Sequence, residues 1–378
     1  MTDLLRQEIA AASKRVVVKV GTRVLTRPDG RLNDERVGRL AEELFALKQD
    51  GRQVVLVSSG AVGAGMSQLK MTRRPTDLAK LQAVAAVGQA RLTLEYDRHF
   101  RKHNCHAAQV LLTADDLDDR IRYLNVRNTL CELLEMGVIP IINENDTVAV
   151  EELMLAFGDN DRLAALVTNL LRASLLVILS DIDGLYDAPP DQPGASLVRT
   201  VKALDDTVQS YVKDRKNQLS KGGMSSKLAA ARIVTSAGES MIIANGHQDG
   251  VIGGIFAGQE IGTLFLAQGK AISPLKRWIG FSAQSRGCLH LDQGASDAVR
   301  NNGKSLLPIG ITQVEGDFGK GDIVVLCDPS GRQIGRGLIN YTAEEARKLI
   351  GVRSDKIAEI LGHCPYIEVV HRNNLIVM

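Results

Sequence analysis

Two segments near the N-terminus place anion-binding residue types directly after hydrophobic runs. The run RVVVKV contains Lys19 and is followed by Gly21, and the run QVVLV leads into the pair Ser58–Ser59. At the carboxyl end of a parallel strand, a lysine supplies a mobile charge and a glycine allows close backbone approach. The Ser-Ser-Gly segment predicts an anion site at a helix start. The alternative interpretation of Lys19 is a surface lysine before a turn. The alternative for the Ser-Ser-Gly segment is a Gly/Ala-rich helix built for close packing.

A dense group of amide and carboxylate side chains follows in the segments IINENDTV and FGDND. Its members are Asn143, Glu144, Asn145, Asp146, Asp159, Asn160 and Asp161. Such side chains can bind an amino group, orient lysines or hold a cation. Asn and Asp are also favoured first residues of helices, so Asp159 or Asn160 could simply begin the next helix. Two such runs in close succession favour a binding site.

Two later segments have features of nucleotide sites. LSDIDGLY follows an apolar run, although a plain Asp-Gly turn has the same letters. GGMSSKL places two glycines before a helix that carries Lys227, so backbone N–H groups could cradle phosphates while the lysine neutralises transferred charge. Neither is a Walker A loop, and Gly303–Ser305 has Ala298 where that motif needs its first glycine.

Composition excludes several classes of protein. The 378 residues suffice for two domains, and a net charge of +2 with 4% aromatic residues argues against bulk nucleic-acid or membrane-surface binding. The sequence has neither a signal-peptide pattern nor 18 consecutive apolar residues. Five scattered cysteines without zinc spacing predict reduced thiols rather than a disulfide framework or structural metal. We therefore expect a cytoplasmic protein.

Short β-branched runs alternate with helical patterns over the first two thirds of the chain. This alternation predicts an α/β fold with a mostly parallel sheet covered on both faces. The predicted strands are Arg15–Val20, Gln53–Val57, His106–Leu112, Val138–Ile142, Ser174–Leu179 and Ser240–Ala244. The predicted helices between them are Asn33–Lys48, Pro75–His99, Arg120–Glu135, Asp161–Leu171 and Ser226–Ser236. Beyond Lys276 short strands and glycine turns predict a second, mostly β domain with one helix at Ala343–Leu349.

Taken in this order, the motifs KVGTRVLT, SSGAVGAG, NENDTV, FGDND, LSDIDGLY and GGMSSKL resemble the amino acid kinase family. The stretches KSLLPIGITQVEGDFGKGDIV and GRQIGRGLINY resemble a PUA domain. The resemblance implies a three-layer sandwich around a mostly parallel central sheet, plus a small mostly-β PUA domain. It predicts an N-terminal extension at 1–13, a catalytic domain at 14–259, a linker at 260–274, a PUA domain at 275–361 and a C-terminal extension at 362–378.

The resemblance also implies roles for individual residues. Lys19 and Lys227 would stabilise the transferred phosphoryl group, and Asp161 would hold both lysines. The expected substrate-binding residues are Ser59, Asn143, Asp146, Asp159 and Asn160. The expected nucleotide-binding residues are Lys19, Ser180, Asp181, Lys221, Gly222, Gly223, Met224, Ser225, Ser226 and Lys227. Lys221 departs from the family pattern, which often has threonine there.

The implied activity is ATP- and Mg²⁺-dependent phosphorylation of the side-chain carboxylate of glutamate. The resemblance further implies the first step of proline synthesis, inhibition by proline and a homo-oligomer; no protein ligand of Mg²⁺ is assigned. A kinase of the same family acting on N-acetylglutamate, aspartate, carbamate or a nucleoside monophosphate is the first alternative. RNA binding by the PUA-like tail is the second, although residues 275–378 contain 13 Lys and Arg against 11 acidic residues.

Overall fold

The structure, a computed structural model, describes residues 3–148, 160–213, 223–268 and 273–378. The chain divides into two compact units: residues 1–117 with 121–271, and residues 118–120 with 272–378. Within the described residues, no helix combines the length and the apolar character needed to cross a bilayer.

An eight-stranded sheet forms the centre of the first unit. Its strands are β1 (Arg15–Val20), β2 (Gln53–Ser58), β3 (Ala107–Leu112), β4 (Ile139–Glu144), β5 (Leu175–Ser180), β6 (Thr200–Val201), β7 (Ser240–Asn245) and β8 (Thr263–Phe265). They lie in the order β3-β4-β2-β1-β5-β7-β8-β6, and only the β7–β8 pair is antiparallel. β5 is buried at every position and β1 and β2 at all but the first, so both sheet faces are covered. The predicted mostly parallel α/β fold is confirmed.

Helices of the first unit connect the strands. They are α1 (Leu4–Ala12), α2 (Thr22–Leu25), α3 (Asp34–Gln49), α4 (Ala61–Gln68), α5 (Leu78–Phe100), α6 (Ala114–Asp118), α7 (Arg120–Glu135), α8 (Asn160–Leu171), α9 (Asp206–Lys213), α10 (Gly223–Ser236) and α11 (Val251–Phe256). The strands predicted from β-branched runs agree with β1 to β5 and β7 within one or two residues. The two shortest strands, β6 and β8, were not predicted.

The glycines of the SSGAVGAG segment have a packing role. A Cβ on Gly65 of α4 would lie 1.9 Å from the carbonyl oxygen of Val84, and one on Gly88 of α5 would lie 1.8 Å from that of Ala61. No side chain fits at these distances, so both glycines are needed for the close contact of α4 with α5. Close packing therefore accounts for the later glycines of this segment, and Ser59 remains as its candidate binding residue.

The second unit has its own five-stranded sheet and its own hydrophobic core. The strands are β9 (Gly287–Leu291), β10 (Ile311–Gly316), β11 (Ile323–Cys327), β12 (Gln333–Ile339) and β13 (Val370–Val377), in the order β10-β9-β11-β12-β13. The helices are α12 (Pro274–Arg277), α13 (Gln293–Arg300), α14 (Ala343–Lys348) and α15 (Ile357–Leu361). The expected mostly-β second unit is confirmed, but the prediction of a single helix at Ala343–Leu349 is wrong, because α12, α13 and α15 are too short to show a helical period in the sequence. The domain limits stay predictions, with β8 inside the expected linker and β13 inside the expected C-terminal extension.

Candidate active site

Three charged side chains from distant parts of the sequence meet beside the carboxyl end of β1. Lys19 lies on β1, Asp161 is in the first turn of α8, and Lys227 is near the start of α10. The Nζ atom of Lys19 lies 2.6 Å from Oδ1 of Asp161, and Nζ of Lys227 lies 3.1 Å from Oδ2. One carboxylate therefore holds both ammonium groups, as the sequence led us to expect.

The electrostatics of this triad favour binding of an anion. Lys19, Lys227 and Asp161 are only 6%, 7% and 3% exposed. Burial alone would raise the pKa of Asp161, but the two ammonium groups outweigh it and lower this pKa to about 2. Two cations against one anion leave a net positive charge in a poorly hydrated place. Such a charge is well suited to stabilise negative charge on a bound group.

The start of α10 supports the triad. Ser226 Oγ donates to Oδ2 of Asp161 at 2.9 Å, and Nζ of Lys227 donates to the carbonyl oxygen of Gly223 at 3.2 Å. Among the described residues, no atom lies within 4 Å of a Cβ placed on Gly223. The predicted residues Gly223–Lys227 all lie in this first part of α10. Lys221 and Gly222 lie outside the described residues.

Four buried polar side chains form a second cluster next to the triad residue Asp161. Asn160 Nδ2 donates to Ser59 Oγ at 2.8 Å and to Asn143 Oδ1 at 3.1 Å. Asn143 Nδ2 in turn donates to Oε1 of Gln89 at 2.7 Å. Three of these residues were expected from the sequence, but Gln89, in the middle of α5, was not. The chain of hydrogen bonds fixes the orientation of each amide.

Asp146 follows β4 and is also buried. Burial and the neighbouring Glu144 raise the pKa of this carboxyl group to about 7, and Arg74 opposes the shift. A carboxylate with this pKa changes charge near neutrality and becomes fully charged when a cationic group binds beside it. The charge of Asp146 is therefore sensitive to the groups placed next to it. Asp159, its expected companion, lies outside the described residues.

Ser180 and Asp181 lie at the carboxyl end of β5, beside β1. Ser180 Oγ donates to Asp181 Oδ1 at 3.1 Å, and Nη1 of Arg23 lies 2.8 Å from Oδ2. Burial raises the pKa of Asp181, but the hydrogen bond and charge of Arg23 outweigh this effect and lower it. Arg23 was not expected from the sequence, because its partner is 158 residues away.

A cavity of about 500 Å³ opens beyond the carboxyl ends of β5 and β7. It is lined by Asp183, Tyr186, Leu197, Arg199, Asn245, Gln248, Glu260, Ile261 and Gly262. Asp183 accepts from the hydroxyl of Tyr186 at 3.1 Å and from Nδ2 of Asn245 at 2.9 Å. Ligands of open α/β sheets bind at this edge, but the lining includes none of the residues that the sequence predicted for the site.

Comparisons with known proteins agree with this geometry. Residues 14–245 match the model of the amino acid kinase family, and residues 287–361 match the PUA domain. A glutamate 5-kinase of Rhodopirellula baltica is 49% identical, with 98% of this chain and 96% of the relative covered. Glutamate 5-kinases of Caldanaerobacter subterraneus subsp. tengcongensis and Pseudomonas fluorescens are each 46% identical, covering 96% and 99% of this chain and 98% and 100% of those relatives. The chain therefore belongs to the amino acid kinase family and carries a PUA domain after its kinase domain.

Proposed function

We propose that this chain transfers the γ-phosphoryl group of ATP to the side-chain carboxylate of L-glutamate and forms glutamyl 5-phosphate. The observation that carries the proposal is the buried Lys19–Asp161–Lys227 triad next to the amide cluster of Ser59, Asn143 and Asn160. The near full-length similarity to proteins named glutamate 5-kinase supports glutamate as the substrate.

The proposed reaction needs charge stabilisation more than proton transfer. A glutamate side chain with a pKa near ~4.3 is already an anionic nucleophile at pH 7, so no general base is required. The barrier comes from repulsion between this carboxylate and the phosphates. Lys19 and Lys227 would neutralise charge on the transferred group, and Asp161 would keep both ammonium groups in place. Because this arrangement is already formed, little reorganisation is needed during transfer.

The remaining residues divide between the two substrates. We assign Ser59, Asn143, Asp146 and Asn160, together with Asp159, to glutamate. Buried amide and hydroxyl groups suit its carboxylates, and Asp146 suits its ammonium group. We assign ATP to the edge formed by Ser180, Asp181 and the start of α10, where Lys221 would add a further positive charge.

Mg²⁺ would be held mainly by the phosphates of ATP. Within the described ranges, no three His, Cys, Asp or Glu side chains are grouped as a metal site. Mg²⁺ usually keeps several waters and binds through substrate phosphates with one or two carboxylates. When bound, the ion would neutralise phosphate charge and help to align the phosphates.

The direct test is incubation of the protein with ATP, Mg²⁺ and L-glutamate in the presence of hydroxylamine. An acyl phosphate reacts with hydroxylamine to give a hydroxamate, which forms a coloured complex with Fe³⁺; we expect it only when all three components are present. N-acetylglutamate, aspartate, carbamate and UMP serve as competing acceptors, and ADP formation is measured for each because phosphorylated UMP gives no hydroxamate. If the protein prefers any of these acceptors to glutamate, the proposed substrate is wrong and the protein acts as another kinase of the family.

Proline synthesis is the proposed context of the reaction. Glutamyl 5-phosphate would be its first intermediate, and proline would act as a feedback inhibitor. Titrating L-proline into the hydroxamate assay should lower the rate at subsaturating glutamate, with D-proline as the control. Equal rates with and without L-proline would remove feedback inhibition from the proposal.

We also propose that the kinase chemistry is confined to the first unit and that the protein is a homo-oligomer. A chain ending at residue 271 keeps β8 within the sheet and should retain glutamate-dependent activity. Light scattering of the full chain measures the mass of the particle and so tests the homo-oligomer.

The PUA domain makes RNA a second possible partner. Filter binding with total RNA at two salt concentrations would test this. The nearly balanced charge of the tail favours a structural or regulatory role instead.

A further inference from the structure

The hydrogen bonds of the amide cluster run in one direction. Gln89 accepts from Asn143, Asn143 accepts from Asn160, and both amide hydrogens of Asn160 are used, one on Asn143 and one on Ser59 Oγ. An amide has a donor end and an acceptor end, so turning any one of them over would force its neighbours to turn as well. The acceptor at Gln89 therefore determines what Ser59 presents at the other end.

Ser59 is left with a hydroxyl hydrogen to donate. Its Oγ already accepts from Asn160, and Ser59 Oγ donates none of the hydrogen bonds formed among the described residues. A donor facing the substrate matches a carboxylate oxygen. In the opposite direction, Ser59 would donate inward to Asn160 and could only accept from a ligand, which matches an ammonium group. The observed direction therefore favours recognition of a carboxylate at Ser59.

The cost of burying Gln89 indicates that its amide has a purpose beyond filling space. The side chain is 6% exposed, and its Nε2 has no acceptor in the described part of the chain. A buried donor without a partner destabilises a fold, and methionine would occupy a similar volume on α5 without that cost. The compensating feature in the structure is the hydrogen bond from Asn143 to Oε1.

We propose that Gln89 is a positioning residue that sets the direction of this relay, so that Ser59 donates its hydroxyl hydrogen to a carboxylate of the substrate. Gln89 acts through Asn143, which lies 54 residues further along the sequence, and through Asn160. The inference rests on the proposed function, because it takes glutamate as the ligand of the cluster. It assigns to α5 a part in substrate recognition that none of the sequence motifs indicated.

The test compares Michaelis constants of Gln89→Met and Gln89→Glu with those of the wild type. Gln89→Met removes the acceptor and should raise KM for glutamate on the order of five- to tenfold, the effect of one lost hydrogen bond, with KM for ATP within about twofold. Gln89→Glu still offers an oxygen acceptor to Asn143 and should keep KM for glutamate near the wild-type value. Thr93→Val, one helical turn further on α5, is the matched control and should change neither constant.

A double variant of Gln89 and Ser59 distinguishes a hydrogen-bond relay from general destabilisation of the fold. If Gln89 acts through Ser59, adding Gln89→Met to Ser59→Ala should raise KM for glutamate no further. The proposal is overturned if the two effects multiply, if Gln89→Met leaves KM for glutamate unchanged, or if Gln89→Glu raises both constants. Should Gln89→Met fail to fold, Gln89→Leu, which also removes the acceptor of Asn143, takes its place and should give the same rise in KM for glutamate; an unchanged KM in that variant overturns the proposal. A wild-type protein that forms no hydroxamate from glutamate would instead contradict the proposed function.

Discussion

Two buried aspartates of the first unit have opposite electrostatic environments. Asp161 lies between the ammonium groups of Lys19 and Lys227, and its pKa falls to about 2. Asp146 has Glu144 nearby and only Arg74 opposing it, and its pKa rises to about 7. Burial pushes both values upward, so the difference comes from the neighbouring charges. The residue type alone therefore does not determine what a buried carboxylate can do.

This contrast suggests a division of labour within the site. The part of the site around Asp161, called the Asp161 end, contains a carboxylate that stays charged at any physiological pH and holds the two lysines in a fixed arrangement. The part around Asp146, called the Asp146 end, contains a carboxyl group that changes charge near neutrality. Only a cationic group of the ligand would stabilise its carboxylate form. We expect substitutions at the first end to affect turnover and substitutions at the second end to affect glutamate binding.

The largest effect should follow removal of a lysine from the Asp161 end. Lys19→Ala and Lys227→Ala should each lower kcat by about 10²- to 10³-fold, as the loss of one preorganised charge does in other enzymes. Lys14→Ala, an exposed lysine just before β1, is the control and should leave kcat unchanged. Steady-state kinetics on variants with a wild-type circular dichroism spectrum give the answer. Near-normal turnover in either variant would remove that lysine from the mechanism.

Substitution at the Asp146 end should have a smaller effect, and on a different constant. Asp146→Ala should raise KM for glutamate on the order of 10- to 100-fold, because a charged hydrogen-bond partner of the ammonium group is lost. KM for ATP should change little. Equal increases in both constants would show that Asp146 supports the fold rather than glutamate binding.

The pH dependence of glutamate binding should reflect the pKa of Asp146. With a pKa near 7, the ionised fraction rises roughly tenfold between pH 6 and pH 8, and kcat/KM for glutamate should rise with it. The corresponding constant for ATP is the internal control. A profile for glutamate that is flat over this range would contradict the assignment of a charged Asp146 to the ammonium group.

The smallest effect concerns stability. Because the folded-state pKa of Asp146 is raised, the native protein binds an extra proton between about pH 4 and pH 7. Its stability relative to Asp146→Asn should therefore fall by roughly 1 kcal/mol or more as pH rises through this window. The contribution of Asp161 to stability has the opposite pH dependence, since it is present above pH 4 and is lost as pH falls towards 2. Urea unfolding at pH 5 and pH 8 measures the free energy of unfolding of the wild type and of Asp146→Asn. The same difference between the two proteins at both pH values would contradict the prediction for Asp146.

Local sequence patterns were sufficient for the main elements of the fold. Runs such as RVVVKV and SLLVIL are short, largely apolar and contain β-branched residues, and such runs form buried parallel strands where helices cover them. The strands β6 and β8 have only two and three residues, too few to show a periodic pattern. Their position depends on pairing with each other and with β7, which no local pattern encodes.

The candidate site was only partly visible in the sequence. Residues at the ends of strands or the starts of helices, such as Lys19 and Asp161, were found because the ends of parallel strands meet at one sheet edge. Gln89 lies in the middle of a helix and Arg23 in a short one, and their partners are 54 and 158 residues away. Contacts of this kind arise only from packing. The structure brings Lys19 and Lys227 onto Asp161, and Ser59 and Asn143 onto Asn160, while the roles of all the predicted residues stay predictions.

The central claim is that Lys19 and Lys227 stabilise the same transferred charge through their common partner Asp161. The most direct test is kcat of Lys19→Ala, Lys227→Ala and the double variant in the hydroxamate assay. If both lysines act on one phosphoryl group, the double variant should lose less than the product of the two single losses. A loss equal to that product would show that the two lysines act independently, and would contradict the shared triad.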